Sequence, residues 1–535
     1  MNDTDDTEGS GDSGGTRPGP TATRDGNLKG MARGGSLNLI GAICNQLSLF
    51  AITAIIALAL GTRAVGRYGE CFALLSLLGL LSLCGFRSAL TRFVAMHLAD
   101  DDDSKLRGTV RLGMGLSIAS AVVIGLVLVA AARPIADVFH DPSLVTGIRL
   151  TGLTLPAATV SDAALSATQG WRTQRPYTFI GLIFEPVLRL ALTALALAFG
   201  LGLTGAFWAL AIASWAAALL ALRALQVRMR RARGAQPKYG LRAIFSFSMI
   251  SWVSALASTG LIWADTLLLG ALTDASKVGV YNVATRLVTL AVFVMLPINA
   301  SFTPHIAHLH HTGEKQELAK MYAAATSWIV RLSLPAFVAL MVFPGDLLRV
   351  FGHGFTAGAS VTVILAVGQL VRASTGPCGT LLNMSGRVAV NMADNVGVLI
   401  LNIVLNLILI PPYGIVGSAV AWSISLALVN ILRVWQVHRI VGISPLAPES
   451  FKGLVAAVAA AAAGVAVLAL PWSWGVELVV GLLAICVVYV GVSAALGFSS
   501  NDRLVIRTVT ARGGKEGRDA NGHTSEKPPP GARIA

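Results

Sequence analysis

The sequence predicts an all-α polytopic membrane protein with 14 transmembrane helices, arranged as two parallel six-helix lobes followed by two C-terminal helices. Three observations carry this prediction. Only 13% of the 535 residues are charged and 54% are hydrophobic, against about 25% charged in an ordinary soluble domain. The apolar residues come in long unbroken runs, not in the periods of a half-buried strand or an amphipathic helix. Short patterns also recur at a spacing of 212–213 residues.

A helix needs about 20 apolar residues to cross a hydrocarbon core of roughly 30 Å. Six such runs lie near 36–61, 69–96, 110–132, 146–169, 177–198 and 205–222. Six more lie near 243–270, 279–303, 322–343, 358–384, 388–410 and 414–432, and a final pair near 453–470 and 474–497. The fourth and tenth are the most diluted by Ser, Thr, Gly and Pro. Helices are expected because lipid offers no partner to an unpaired backbone group, and the alternating ten-residue strands of a β-barrel do not occur. The chain thus divides into a polar tail at 1–34, expected to be disordered, a first lobe at 35–225, a basic loop at 226–242, a second lobe at 243–435, helices thirteen and fourteen at 452–497, and a tail at 498–535.

Basic residues set the orientation. Positive charge collects on the cytoplasmic side. With both termini inside, 29 of the 41 Lys and Arg fall in cytoplasmic segments and 5 in outer loops. This asymmetry accounts for the net charge of +14 without nucleic acid as a partner. The outer loops hold 14 residues or fewer, which leaves no room for a catalytic domain outside the membrane, so an enzyme is not expected.

The repeat orders the helices. Ala64-Val-Gly-Arg-Tyr68 recurs as Lys277-Val-Gly-Val-Tyr281, Thr204–Ala209 as Val416–Ala421, and Thr91 with Ala95 as Thr303 with Ala307. A repeat of six helices gives both copies the same orientation, related by an axis along the membrane normal, with a cavity between the lobes.

Ionisable residues within the apolar runs are costly and mark cavities or partners. They are Glu70, Arg87, Arg92, Arg149, Asp162, Glu185, Arg189, Asp265, Arg286, Arg331, Arg372 and Asp394. Glu185 and Arg189 have the order and spacing of a structural ion pair. Arg87, Arg92, Arg286, Arg331 and Arg372 together would make a cationic cavity suited to phosphate or pyrophosphate, which guanidinium binds bidentately. Ser254, Ser258 and Asp265 share about 40° of one helix face, and Asn391, Asn395, Asn402 and Asn406, flanked by Asp394, span about 60° of another. Oxygen-rich stripes of this kind suit Na⁺ or a proton relay.

Other signals carry less. No Walker-type phosphate loop occurs, so no ATPase is built in. The cluster His305, His308, His310 and His311 falls in an expected cytoplasmic loop without a carboxylate cluster, and Asp100–Asp103 reads as a solvated acidic loop. The five Cys lie in apolar runs without ligand-like spacing.

The stretch Ala264-Asp-Thr-Leu-Leu-Leu-Gly-Ala271, followed by Val278-Gly-Val-Tyr-Asn-Val-Ala-Thr-Arg286, resembles the Wzx-type polysaccharide flippases of the multidrug/oligosaccharidyl-lipid/polysaccharide exporter superfamily. Asn402–Ala419 (NIVLNLILIPPYGIVGSA) resembles that family's eleventh helix and its entry to the twelfth. The resemblance covers about residues 31–500. It implies alternating-access flipping of undecaprenyl-pyrophosphate-linked oligosaccharide across a bacterial cytoplasmic membrane. A polysaccharide polymerase and glycosyltransferases would be the partners, and no cofactor is implied beyond a coupling Na⁺ or H⁺. By resemblance to lipid II flippases, the cation would lie among Asp265, Asn391, Asp394 and Asn395, with Ser423 nearby. The first lobe has fewer arginines than a lipid II flippase suggests, which favours a polysaccharide cargo. A small-molecule exporter of the same superfamily is the main alternative.

Overall fold

The computed structural model describes residues 20–445 and 448–496, and every regular element among them is a helix. In chain order these are α1 (Pro20–Ser82), α2 (Phe86–Ala99), α3 (Asp103–Ala130), α4 (Ala132–Val138) and α5 (Leu144–Gln169). A π-helix, Tyr177–Phe184, leads into α6 (Glu185–Ala198) and then α7 (Gly202–Arg228). Next come α8 (Leu241–Leu272), α9 (Ala275–Ala291), α10 (Met295–Thr312), α11 (Lys315–Val342), α12 (Pro344–Arg349), α13 (Ala359–Thr375) and α14 (Cys378–Met384). The series ends with α15 (Val388–Val441), α16 (Pro448–Leu468) and α17 (Trp474–Ala495). Ten helices among the described residues are long and apolar enough to cross a membrane. The chain is a multi-pass membrane protein.

Helix boundaries differ from the apolar runs for identifiable reasons. Two pairs of runs join into single long helices that bend sharply at Gly61 (φ 78°, ψ −171°) and Gly414 (φ 55°, ψ −131°). Only glycine adopts such angles without strain, so each break is written in one residue. The run 279–303 is divided between α9 and α10, because Pro297 has no N–H to offer the Phe293 carbonyl one turn back. Neither this broken run nor the diluted fourth run (α5) is among the ten long apolar helices, whereas the tenth run is, as His353–Thr375. Helix α1 reaches back to Pro20, inside the segment expected from its polarity to be a disordered tail. Residues 1–19 and the tail at 498–535 lie outside the described residues. The histidines at 305–311 sit on α10 and not in a loop.

At helix starts the local chemistry is ordinary. Asp102 accepts a hydrogen bond from the Lys105 N–H at 2.9 Å, and Asp274 from the Lys277 N–H at 3.1 Å, each satisfying a first-turn donor. The Lys105 N–H holds the Asp102 carboxyl below its usual range.

The repeat shows itself in packing. The second half of α1 lies against α9, and the two glycines that meet there, Gly66 and Gly279, are themselves 213 apart. A Cβ on Gly66 would fall on the Ala275 carbonyl, and a Cβ on Gly279 would fall on the Thr62 carbonyl. Between them the Thr62 and Ser276 hydroxyls share a hydrogen bond of 2.6 Å. A on B with B on A is the signature of a two-fold contact. This seam lies at the end of the molecule that carries Gly61. There, Arg67 donates to both Asp141 oxygens, at 2.7 and 3.0 Å. Burial pushes the Asp141 carboxyl up, but the bonds from Arg67 and Ser143 outweigh it and hold it below its usual range. Helices α16 and α17 pair and pack on α11, with Phe343 filling the face of Gly481.

Candidate functional site

A cavity of about 400 Å³ opens among α1, α2, α5, the π-helix, α6 and α7, closed on one side by Thr259 of α8. Its lining is mixed: Asn45, Ser76, Ser161 and Ser214 alternate with Leu and Ala. The π-helix forms part of this wall and ends where Pro186 deprives the Leu182 carbonyl of its α-helical donor. Charged groups face the cavity in pairs. Arg87 stands 3.5 Å from Asp162 and donates to the Tyr177 hydroxyl at 3.4 Å. Arg189 stands 3.7 Å from Glu185, as the sequence spacing implies.

At the cavity's inner end α1 and α6 meet α8 and α9. The Arg189 guanidinium lies 5.1 Å from the Phe72 ring, which packs edge-on to Trp263 at 5.5 Å. Arg286 in turn lies 5.7 Å from the Trp263 ring. Phe72, Trp263, Asn282 and Arg286 line a small pocket that shares Leu49 and Phe72 with the large one. Among the described residues, no carboxylate comes within ion-pair distance of Arg286. It is the cation that the site leaves available.

Asp265 belongs to a second, buried cluster. It is 2% exposed. Its Oδ2 accepts from the Tyr281 hydroxyl at 2.8 Å and its Oδ1 from Asn406 Nδ2 at 2.7 Å. Asn406 Nδ2 also reaches the Asn402 carbonyl at 2.8 Å. Asn402 and Asn406 are fully buried, yet among the described residues Asn402 Oδ1 and Nδ2 and Asn406 Oδ1 have no hydrogen-bond partner. Buried acceptors without donors are rare. Beside a carboxylate they form an oxygen set that fits a hard cation or a proton. Ser258 shares the helix face of Asp265 but is exposed and bonds back to the Ser254 carbonyl at 2.9 Å.

The structure separates Asp265 from the other residues expected to share its cation. Asn391, Asp394 and Asn395 lie nearer the start of α15, and even Asn395 is two turns, about 10 Å, before Asn402. They serve a protein cation instead. Arg433 donates to Asn395 Oδ1 at 2.6 Å and stands 3.9 Å from Asp394, which also accepts from Gln436 at 2.9 Å. Asn391 donates to Asn383 at 2.9 Å. Ser423 donates to the Ile364 carbonyl at 3.0 Å. The polar stripe of α15 is therefore two clusters, one built on Asp265 and one on Arg433.

The five arginines expected in one cavity are also dispersed. Arg87 lines the large cavity and Arg286 the adjoining pocket. Arg92 is exposed and stacks on Phe247 of α8 at 4.5 Å. Arg331 faces α16 and α17: its carbonyl accepts from Tyr489 at 2.7 Å and its stem packs on Gly453. Arg372 is exposed at the end of α13. Sequence reasoning missed Arg433, counted as a loop residue. It also missed Tyr281, although the Val-Gly-x-Tyr pattern contained it, and it read Arg189 only as half of an ion pair. Among the described residues no group of three or more His, Cys, Asp or Glu is placed to hold a metal ion.

The family model described as "Polysaccharide biosynthesis protein" matches residues 31–310, more than half of the chain. The chain belongs to that family. It is thereby a member of the polysaccharide-flippase branch of the exporter superfamily its sequence resembles. The MatE model matches residues 243–408. Among curated relatives, a "Probable flippase AglR" from Haloferax volcanii is 31% identical over 213 residues, 38% of this chain and 43% of that one. A "Probable low-salt glycan biosynthesis flippase Agl15" from the same organism is 29% identical over 38% of this chain and 43% of its own. The "Teichuronic acid biosynthesis protein TuaB" of Bacillus subtilis is 26% identical over 30% and 34%. The chain thus spans less than half the length of the curated relatives it matches. Among solved structures, a lipid II flippase MurJ in an inward closed conformation superposes with a TM-score of 0.68 at 12% identity, covering 86% of this chain and 98% of that one. An inward-facing MATE multidrug transporter gives 0.63 at 14%, covering 76% and 98%. These two likenesses establish the fold of this member of the polysaccharide biosynthesis family.

Proposed function

We propose that this protein flips an undecaprenyl-pyrophosphate-linked oligosaccharide across a bacterial cytoplasmic membrane by alternating access. The observation that carries the reading is the polar cavity of about 400 Å³ together with the small pocket adjoining it, where Arg286 has no carboxylate partner among the described residues. In this reading the chain crosses the membrane 14 times as two six-helix lobes plus two, with both termini in the cytoplasm. The pyrophosphate docks between Arg286 and Arg189, and both guanidiniums exchange aromatic faces for oxygen acceptors. The sugars occupy the space lined by Ser161, Asp162 and Ser214. The prenyl tail stays in lipid. The α1–α9 seam closes the outer side, and the cavity opens to the cytoplasm. A cation held by Asp265, Asn402 and Asn406 would fix the angle between α8 and α15 and so bias the lobes. The protein is a transporter and not an enzyme. A polysaccharide polymerase and glycosyltransferases act before and after it.

The test is genetic and chemical together. Deleting the gene should cause undecaprenyl-linked oligosaccharide to accumulate on the cytoplasmic leaflet, and Arg286→Ala should reproduce this at normal protein level. Each guanidinium–phosphate contact is worth about 1.5–3 kcal/mol, so transport should fall roughly 10- to 100-fold. A surface glycan that persists with no accumulated intermediate refutes the reading. A second reading, export of a small apolar cation, is favoured by the MatE match and by the Phe72–Trp263 pair. It predicts drug sensitivity in the deletion strain and no lipid-linked intermediate.

A further inference from the structure

Glu70 is not explained by the cavity or by the Asp265 cluster. It lies on α1, one turn beyond Arg67, and is 1% exposed. Among the described residues no hydrogen bond or ion pair reaches its carboxyl, and Oε2 is fully enclosed. The group is pressed between the two halves of the repeat. Its Oε1 lies against Gly270 of α8, within 2.8 Å of where a Cβ would stand, and Phe139 covers the same glycine.

The charged groups facing Glu70 do not supply a counter-ion. Arg67, on its own helix, is committed to Asp141 through two bonds. Asp141, from the α4–α5 turn, and Asp274, from the α8–α9 turn, are like charges. Lys277 of α9 is exposed and paired with Asp274 at 3.2 Å. Asp265, farther along α8, is bonded to Tyr281 and Asn406. An ionised carboxylate enclosed this way is far more costly than the neutral acid.

We propose that Glu70 is a proton-binding site at the contact between α1 and α8, protonated while these helices are packed and ionised when they part. The ligand is a single proton, taken up as the Gly61 end closes and released there as it opens. The site is distinct from Asp265, which is embedded within one half of the repeat and keeps its partners Tyr281 and Asn406. The proposal rests on the alternating-access reading, since it needs α1 and α8 to separate.

The test uses the full-length protein in lipid nanodiscs, with its native cysteines replaced by alanine. Nitroxide labels on Leu201→Cys and Ala357→Cys, both exposed on the Gly61 end, report the separation of the halves by pulsed electron resonance. One linked proton changes the ratio of packed to parted states by at most about tenfold per pH unit, packed being favoured at low pH. We expect a ratio that falls as pH rises in the parent, is insensitive to pH in Glu70→Gln, and regains its dependence in Glu70→Asp. Two populations whose ratio ignores pH in the parent, or keeps its full pH dependence in Glu70→Gln, overturn the proton site alone. A single distance at every pH overturns the alternating-access reading and the proposal together.

Discussion

Adding one methyl group at the seam between the repeats should open it. In Gly279→Ala the new Cβ falls on the Thr62 carbonyl oxygen, with the carbonyl carbon at 2.8 Å and the Gly66 nitrogen at 3.0 Å. An ordinary carbon–oxygen contact is about 3.3 Å or more. The obstruction is backbone, which no rotamer change relieves, so α1 and α9 must move apart by roughly an ångström or more. Overpacking of this kind costs about 1–3 kcal/mol. That cost falls on the packed state alone, so the ratio of packed to parted conformations should drop about 5- to 150-fold. The assay is cross-linking of Thr62→Cys to Ser276→Cys, whose parent hydroxyls are 2.6 Å apart. The disulfide should form readily in the parent and several-fold more slowly in Gly279→Ala, and Gly66→Ala should behave alike because the contact is reciprocal. If both alanine variants cross-link at the parental rate, the seam is not the closed gate inferred from its packing.

Four further outcomes follow from the charged groups. Asp265→Asn keeps the bond from Asn406 but removes the charge, so transport should fall at least about tenfold while folding, read by size-exclusion and thermal melting, is retained; normal transport would remove the cation role. Asp265→Ala leaves the Tyr281 hydroxyl and Asn406 amide without their acceptor and should destabilise the fold by about 2–4 kcal/mol, measured as a lower melting temperature in detergent. The Arg67–Asp141 bond should contribute about 1–3 kcal/mol. Because the folded carboxyl is held low, that contribution is complete above about pH 4 and is lost as pH falls through the folded value. The melting difference between the parent and Arg67→Gln should therefore close in acid, and a difference that persists at pH 2 would contradict the assignment. Arg331→Ala should leave transport near parental, since that side chain faces α16 and α17, away from the cavity.

The fold was legible because a bilayer imposes a simple rule. Apolar runs of spanning length must become helices, and the runs from 36 to 497 all fall largely on helix among the described residues. The 213-residue repeat was legible from Ala64–Tyr68 and Lys277–Tyr281, and the structure turns it into a reciprocal contact of Gly66 with Ala275 and Gly279 with Thr62. The break near Gly414 was readable because the Pro-Pro-Tyr-Gly stretch separates two runs, whereas the break before Pro297 was not, since 279–303 reads as one span. Of the two runs expected to be weakest, the fourth is absent from the ten long apolar helices but the tenth is among them, and the eighth is absent for another reason, a backbone break that hydropathy does not register.

The candidate site was less legible, since a helix face shows which residues point the same way but not what they meet. Asn391, Asn395, Asn402 and Asn406 share one arc of α15, yet Asn391 bonds Asn383, Asn395 accepts from Arg433, and Asn402 and Asn406 lie with Asp265. The five arginines differ in no local feature of sequence, but of the five Arg87 lines the large cavity and Arg286 the adjoining pocket. Sequence alone determined that this chain is a multi-pass helical membrane protein with an internal repeat, because the cost of unsatisfied backbone and buried charge in lipid acts residue by residue. Tertiary structure decided which charges are neutralised. The Arg189–Glu185 pair was legible from its spacing, but that Arg433 has Asp394, and that Arg286 and Glu70 have no counter-ion among the described residues, was not. Neutralisation depends on distances of a few ångströms between helices remote in sequence, and no local pattern encodes those.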